Sequence, residues 1–182
     1  MKKMGMILGL FLIADSRGTA VEVPIPSQAI IEVKGIVCSF CAYGARKNLS
    51  KVDFLDKSQF QEGLLIETEK GSITMAIQKG KKINFEKVYK EIQKGGYEIS
   101  AIHLNLIGVP EKKNESVVLT HKYNGQQFVL LNDKGQVWDP KDHLGKEVSI
   151  QGVLLEAILS KTDSTKDKHA HVQIKSVNPV ER

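Results

Sequence analysis

The chain has little cysteine: two residues in 182. Two cysteines cannot staple a small disulfide scaffold, so the fold has to be held by packed elements. Long hydrophobic runs are missing too. No stretch approaches the ~20 apolar residues of a membrane-spanning helix, so no span is expected in the mature chain. Charge is nearly balanced, with 26 Lys plus Arg against 21 Asp plus Glu for a net +5, and no Lys/Arg-rich block stands out. That pattern gives no support to a nucleic-acid partner. The sequence shows no phosphate-cradling glycine loop, nucleophile triad or evident general base, so enzymatic activity is not expected. What is present, 41% hydrophobic and 26% charged residues, is enough for one ordinary domain or two small ones.

Residues 1–20 read as a secretory signal peptide. Lys2 and Lys3 give a basic start, an apolar stretch runs from Met6 to Ala14, and Gly18 and Ala20 are small residues placed before a cut. The plainer readings are an uncleaved N-terminal helix or a misassigned start. Cysteine does not follow closely enough for lipid attachment, the nearest being Cys38. Cleavage would remove Lys2, Lys3 and Arg17 against Asp15, taking the net charge from +5 to +3 and leaving 162 residues. The working protein would then be periplasmic or secreted, away from intracellular nucleic acid.

After a lead-in at 21–28, the residues 29–107 follow alternating and helical periods in turn. Ile31 and Val33 alternate with Glu32 and Lys34, as in a half-buried strand. Ala42, Ala45, Leu49 and Val52 recur at helical spacing. Residues 53–63 form a polar connection in which Phe54, Leu55 and Phe60 are expected to plug the core. Leu64–Thr68 and Ile73–Ile77 read as a hairpin turning at Gly71, and Asn84 as the N-cap of a second helix with Phe85, Val88, Tyr89 and Ile92 inward. Gly95-Gly96 ends that helix, and a last strand carries Ile102, Leu104 and Leu106 inward. The order βαββαβ is the ferredoxin-like split unit.

Composition shifts at 108–115, which reads as a linker. Beyond it, in 116–182, the helical period disappears. Short strands are expected at Val117–Thr120, Gln127–Leu131, Gln136–Trp138, Val148–Leu159 and His171–Val177, with a bend or bulge at Gly152. Five short strands imply a small all-β barrel or sandwich. The run Leu144-Gly145-Lys146-Glu147-Val148-Ser149-Ile150-Gln151-Gly152 resembles the central strand of OB-fold domains. The expected class is therefore α+β, a ferredoxin-like domain followed by an OB-like barrel.

Both cysteines sit in Cys38-Ser39-Phe40-Cys41, where a strand gives way to a helix. A two-residue spacer lets the sulfurs converge, and free N–H groups of the first helical turn favour thiolate. Arg46 and Lys47 would add to this if their side chains turned back. Two thiolates suit Cu(I) or Hg(II) in near-linear coordination, or Zn(II) with further ligands.

The run Gly35-Ile36-Val37-Cys38-Ser39-Phe40-Cys41, followed by Ala42-Tyr43-Gly44 and later by Gly96-Tyr97, resembles the heavy-metal-associated domain family over about 29–107. That family includes copper chaperones, modules of metal-pumping ATPases and periplasmic mercury-binding proteins. The resemblance implies that Cys38 and Cys41 ligate a metal ion, that Gly35, Ile36 and Tyr97 shape the site, and that a metal-transporting ATPase or other metal-handling protein is the partner. Ile36 stands where the family usually has methionine, and the connection after the first helix is longer than usual.

Other readings of the pair stay open: a thiol–disulfide redox protein, or an interaction module with a retired metal site. His169 and His171 would share one face of a strand and are candidate extra ligands, with plain exposure at a loop mouth as the rival reading. His103, His121 and His143 are expected to be exposed and without function. Arg46, Lys47, Lys51, Lys87, Lys90 and Lys94 could form a basic docking face or simply a solvated one. Phe128 and Trp138 are read as core rather than a stacking platform.

Overall fold

A computed structural model describes residues 25–155 and 170–180. The expected signal peptide, His169 and the end of the strand expected to reach Leu159 lie outside the described residues. Within them the chain is a mixed α+β protein, mostly sheet, with nine strands and two helices.

β1 (Gln28–Lys34) alternates as its sequence demands, with Ala29, Ile31 and Val33 buried. Helix α1 (Ser39–Leu49) buries Ala45 and Leu49. β2 (Leu64–Glu67) and β3 (Ser72–Ala76) form the expected hairpin, and Gly71 takes its left-handed conformation (φ +61). Helix α2 (Phe85–Lys94) starts where the Asn84 side chain accepts the Lys87 N–H at 2.9 Å and buries Phe85, Val88 and Ile92. β4 (Glu98–Gly108) buries Ile102, Leu104 and Leu106. These strands lie in the order β2-β3-β1-β4, antiparallel throughout. The buried residues of both helices join one core with Ile31, Ile73 and Ile102.

The stretch 108–115, which composition marks as a linker, holds structure. Gly108 closes β4, and after Val109 alone the chain enters β5 (Pro110–Lys113). β6 (Ser116–Thr120), β7 (Gln127–Leu131), β8 (Val148–Leu154) and β9 (Ala170–Pro179) complete the sheet. The pairing runs β4-β8-β9-β7-β6-β5, with β7 and β9 parallel and the other neighbours antiparallel. This path begins and ends on one nearly continuous stretch, 98–113. Register shifts between Gln151 and Gly152, the bulge expected there, and a Cβ on Gly152 would overlap Val172 Cγ1.

Two local expectations are corrected. Gln136–Trp138 is not a strand; only a bridge from Leu131 to Val137 forms, because the Asn132 Oδ1 accepts the N–H groups of Lys134 and Gln136 and folds the chain into a turn. Phe54 and Leu55 are core plugs, but Phe60 is 45% exposed. Asp56 holds Ser58 and Gln59 through its carboxylate, and the Gly63 N–H donates to the Gln59 carbonyl. That tight loop puts Phe60 at φ +52 and Glu62 at φ +56, with the Phe60 ring outside the core.

One hydrophobic core spans both halves of the sheet, from Ala29 and Phe54 to Phe128, Ile150 and Val172. The loop 121–126 straps them together. The Tyr123 hydroxyl donates to the Ile77 carbonyl at 3.2 Å, and the Gln126 amide exchanges hydrogen bonds with the backbone N–H and carbonyl of Ile83 at 2.8 and 3.1 Å. No helix among the described residues is long and apolar enough to cross a membrane.

Candidate metal centre

The site begins where β1 stops. Gly35 has φ +96, a conformation that side chains resist, and turns the chain out of the sheet. Ile36 is buried and pins the loop to the core. Cys38 follows as the N-cap of α1, in extended conformation. Its Sγ accepts the Cys41 N–H at 3.2 Å, the role that a Ser or Asp oxygen usually fills at this position. Cys38 is exposed, whereas Cys41, within the first turn, is half-buried against the core.

The Cys38 thiol is held below its ordinary range, first by a hydrogen bond from the Cys41 thiol and then by the backbone N–H groups of Cys41 and Phe40. Arg46 and Lys47 lie in the last turn of α1, at the far end from the sulfurs. The lowering therefore comes from the Cys41 thiol first and from the backbone N–H groups of the first turn second, not from these cations.

Tyr97 closes the site from the other side. Its hydroxyl donates to the Cys41 carbonyl at 3.0 Å. The ring lies on a bed of glycines: a Cβ at Gly35 would come within 3.3 Å of Tyr97 Cδ1, one at Gly44 within 3.3 Å of its hydroxyl, and one at Gly95 would overlap the ring. Burial, then the neighbouring Cys41 and Cys38, pushes the phenol above its usual range, so it remains a donor at neutral pH. The structure thus brings Gly35, Cys38, Cys41 and Tyr97 together, with Ile36 beneath them.

The histidines are elsewhere. His171 is half-buried in β9, opposite Val129 of β7, and among the described residues no group of three or more His, Cys, Asp or Glu side chains gathers as a metal cage. His121, expected at the surface, is 3% exposed. Its Nε2 lies 3.1 Å from the Pro26 carbonyl and its Nδ1 3.1 Å from both the N and the O of Ile107. With the proton on Nε2, the ring donates to Pro26 and accepts from the Ile107 N–H. His103 also has a partner, Glu32 Oε1 at 2.8 Å across the sheet, and His143 stacks on Trp138 with ring centroids 5.8 Å apart. Phe128 is core. Of the six basic residues read as a face, Lys51 lies beyond the end of α1, and Lys87, Lys90 and Lys94 pair with Asp53, Glu86 and Glu91.

Sequence reasoning missed the apolar surroundings of Cys38. Val37, Phe40 and Tyr43 are 81%, 83% and 61% exposed, spaced three residues apart along the sulfur-bearing turn. Their positions off the Ala45–Leu49 stripe carried that signal. No protein-family model matches the chain, and no curated protein matches it significantly.

Proposed function

We propose that the protein captures a soft or transition metal ion between Cys38 and Cys41 and passes it on by ligand exchange, without acting as an enzyme. The observation that carries this reading is the sulfur pair. Cys38 offers an exposed sulfur already favoured as thiolate, and a second sulfur stands on the same helical turn. Two such donors fit Cu(I) or Hg(II); Zn(II) would draw further donors from a partner. In transfer, a partner's thiolate or thioether adds to the bound ion, a three-coordinate state forms, and the ion leaves with the partner. A metal-transporting ATPase or another metal-handling protein is the partner class that the family resemblance implies.

The finer fold belongs to the same proposal. The strand order β2-β3-β1-β4 with two helices supports reading residues 29–107 as a ferredoxin-like unit of the heavy-metal-associated kind. The path β4-β8-β9-β7-β6-β5, returning to one stretch of chain, supports an OB-like barrel in the remainder. The signal-like residues 1–20 support a periplasmic or secreted location.

A second reading has its own support: an exposed, thiolate-favoured Cys38 beside a half-buried Cys41 is also what thiol–disulfide exchange requires. Titration of the reduced chain with Cu(I), Zn(II) and Hg(II) separates the two. The expected result is stoichiometric binding of Cu(I) or Hg(II), abolished in Cys38→Ala and weakened or abolished in Cys41→Ala. Binding unchanged by both substitutions would sink the metal reading, and a reduction potential in the thioredoxin-to-oxidant range would favour exchange.

A further inference from the structure

Val37, Phe40 and Tyr43 are the three most exposed large hydrophobic residues among those described, and all three lie within five residues of Cys38 in the chain. Phe40 and Tyr43, three apart, are neighbours on the surface of α1, and Val37 precedes the extended N-cap Cys38. From Gly35 to Ala45 the chain carries no charged residue, although 26% of the whole sequence is charged. Packing does not account for the two rings, since the core is closed beneath them by Ile36, Ala45 and Leu49. A group that approaches the exposed Cys38 meets an uncharged stretch of chain that carries these side chains.

We propose that Val37, Phe40 and Tyr43 form an apolar docking collar for a protein partner whose sulfur ligand is flanked by uncharged, apolar residues. The proposal rests on Cys38 and Cys41 being an exchange site, and it adds what kind of surface is admitted to that site. A charged flank would lose water against Phe40 and Tyr43 with no opposite charge from Gly35 to Ala45 to compensate, so the collar discriminates by desolvation. Its size fits a brief encounter. Two aromatic rings and a valine offer on the order of 400 Å², about half the ~800 Å² per partner of a stable complex. A transient donor or acceptor therefore suits the collar better than a permanent second copy of the chain.

The test needs no metal, so its failure and that of the metal reading are distinguishable. Two short peptides, one with Leu and one with Asp on both sides of a central cysteine, are prepared as mixed disulfides with thionitrobenzoate. The Cys38 thiolate of the reduced full chain attacks the peptide sulfur, forming a protein–peptide disulfide and expelling the coloured thionitrobenzoate thiolate, whose release gives the rate. The Leu-flanked peptide is expected to react about tenfold faster than the Asp-flanked one, and the ratio to fall towards one in the F40S/Y43S double variant. Both rings are exposed, so the variant is expected to fold, as far-UV circular dichroism checks. A ratio near one in the natural chain, or a ratio unchanged in the double variant, overturns the proposal. So does a stable dimer that the double variant abolishes, which would make the occupant a second copy. Binding to phosphatidylcholine vesicles lost in the same variant would overturn it in favour of a lipid surface. Normal selectivity with no metal binding would leave the collar standing and remove only the metal reading.

Discussion

The first half of the sheet leaves Cys38 in solvent at the start of α1, whereas the second half takes His121 out of solvent and ties it to the backbone of Pro26 and Ile107. Both residue types bind metals readily, yet only the cysteine is left exposed to solvent. The Cys38 sulfur at the helix start accepts hydrogen bonds from the first turn yet stays open to solvent. A ring enclosed in a strap between two halves has both nitrogens committed. Residue type thus says less about chemistry than whether the fold leaves the donor atoms within reach of solvent. The first half carries the cysteine-bearing turn, and the second half packs on the same core and is tied to the first through the loop 121–126.

The contrast holds only if the halves fold as one body, and the natural probes separate them. Trp138 is the sole tryptophan and lies in the second half, while both helices lie in the first. Urea unfolding followed by tryptophan fluorescence and by helical circular dichroism is expected to give one midpoint, because one core spans both. Gly108→Ala should produce the largest shift. A Cβ there would overlap the Thr120 carbonyl and come within 3.1 Å of Leu119, at the point where β4 hands over to β5. Backbone cannot yield as a side chain can, so a loss of about 3 kcal/mol is expected, in both signals together. A shift confined to fluorescence would break the comparison by making the halves independent.

His121→Ala comes next. It leaves the Ile107 N–H and the Pro26 carbonyl without their partner and opens a cavity against Phe128, at a cost of about 2 kcal/mol. The metal affinity proposed for Cys38 and Cys41 should stay within about twofold, since the histidine's ring nitrogens are bound to backbone away from the pair. A large loss of affinity would mean that the strap reaches the site. Tyr97→Phe is smaller, about 1 kcal/mol, because it removes one donor from the Cys41 carbonyl while the ring keeps its glycine bed. Equal thermal midpoints for Tyr97→Phe and the natural chain would show that this hydrogen bond contributes nothing to stability.

Local pattern made the first half legible. Alternation found β1 and β4, helical spacing found α1 and α2, and Asn84 and Gly71 marked a cap and a turn with a physical reason for each. The second half was legible only strand by strand. β5 reads as a loop because Pro110 opens it and Glu111, Lys112 and Lys113 are exposed, which is how a marginal strand avoids unwanted pairing. His121 and Phe60 were misjudged for a related reason. What fixes them, bonds to Pro26 and Ile107 in one case and the Asp56 loop in the other, depends on partners or backbone angles that no window of hydrophobicity records. At the site, the cysteine spacing was visible at once, but the inequality of the two sulfurs was not. It arises from Cys38 capping the helix while Cys41 lies in its first turn against the core.

That inequality gives the smallest effect and the finest form of the contrast. Iodoacetamide reacts with thiolate, so its rate against pH follows the ionisation of the exposed sulfur. Hydrogen bonds from the Cys41 thiol and from the N–H groups of Cys41 and Phe40 favour the Cys38 thiolate in the folded chain, so the folded midpoint should lie below that of the urea-unfolded chain. The folded state binds fewer protons at this group, so its contribution to stability is complete above the unfolded thiol value. It is lost as pH falls through the lowered folded value. Cys41→Ala removes the largest of these hydrogen bonds and keeps the backbone donors, so the midpoint should rise only part of the way back. A full return would place the whole effect in the thiol–thiol contact, and no change would place it in the helix start. Either result would decide whether Cys38 owes its character to its partner cysteine or to the cap position that the chain gives it after Gly35.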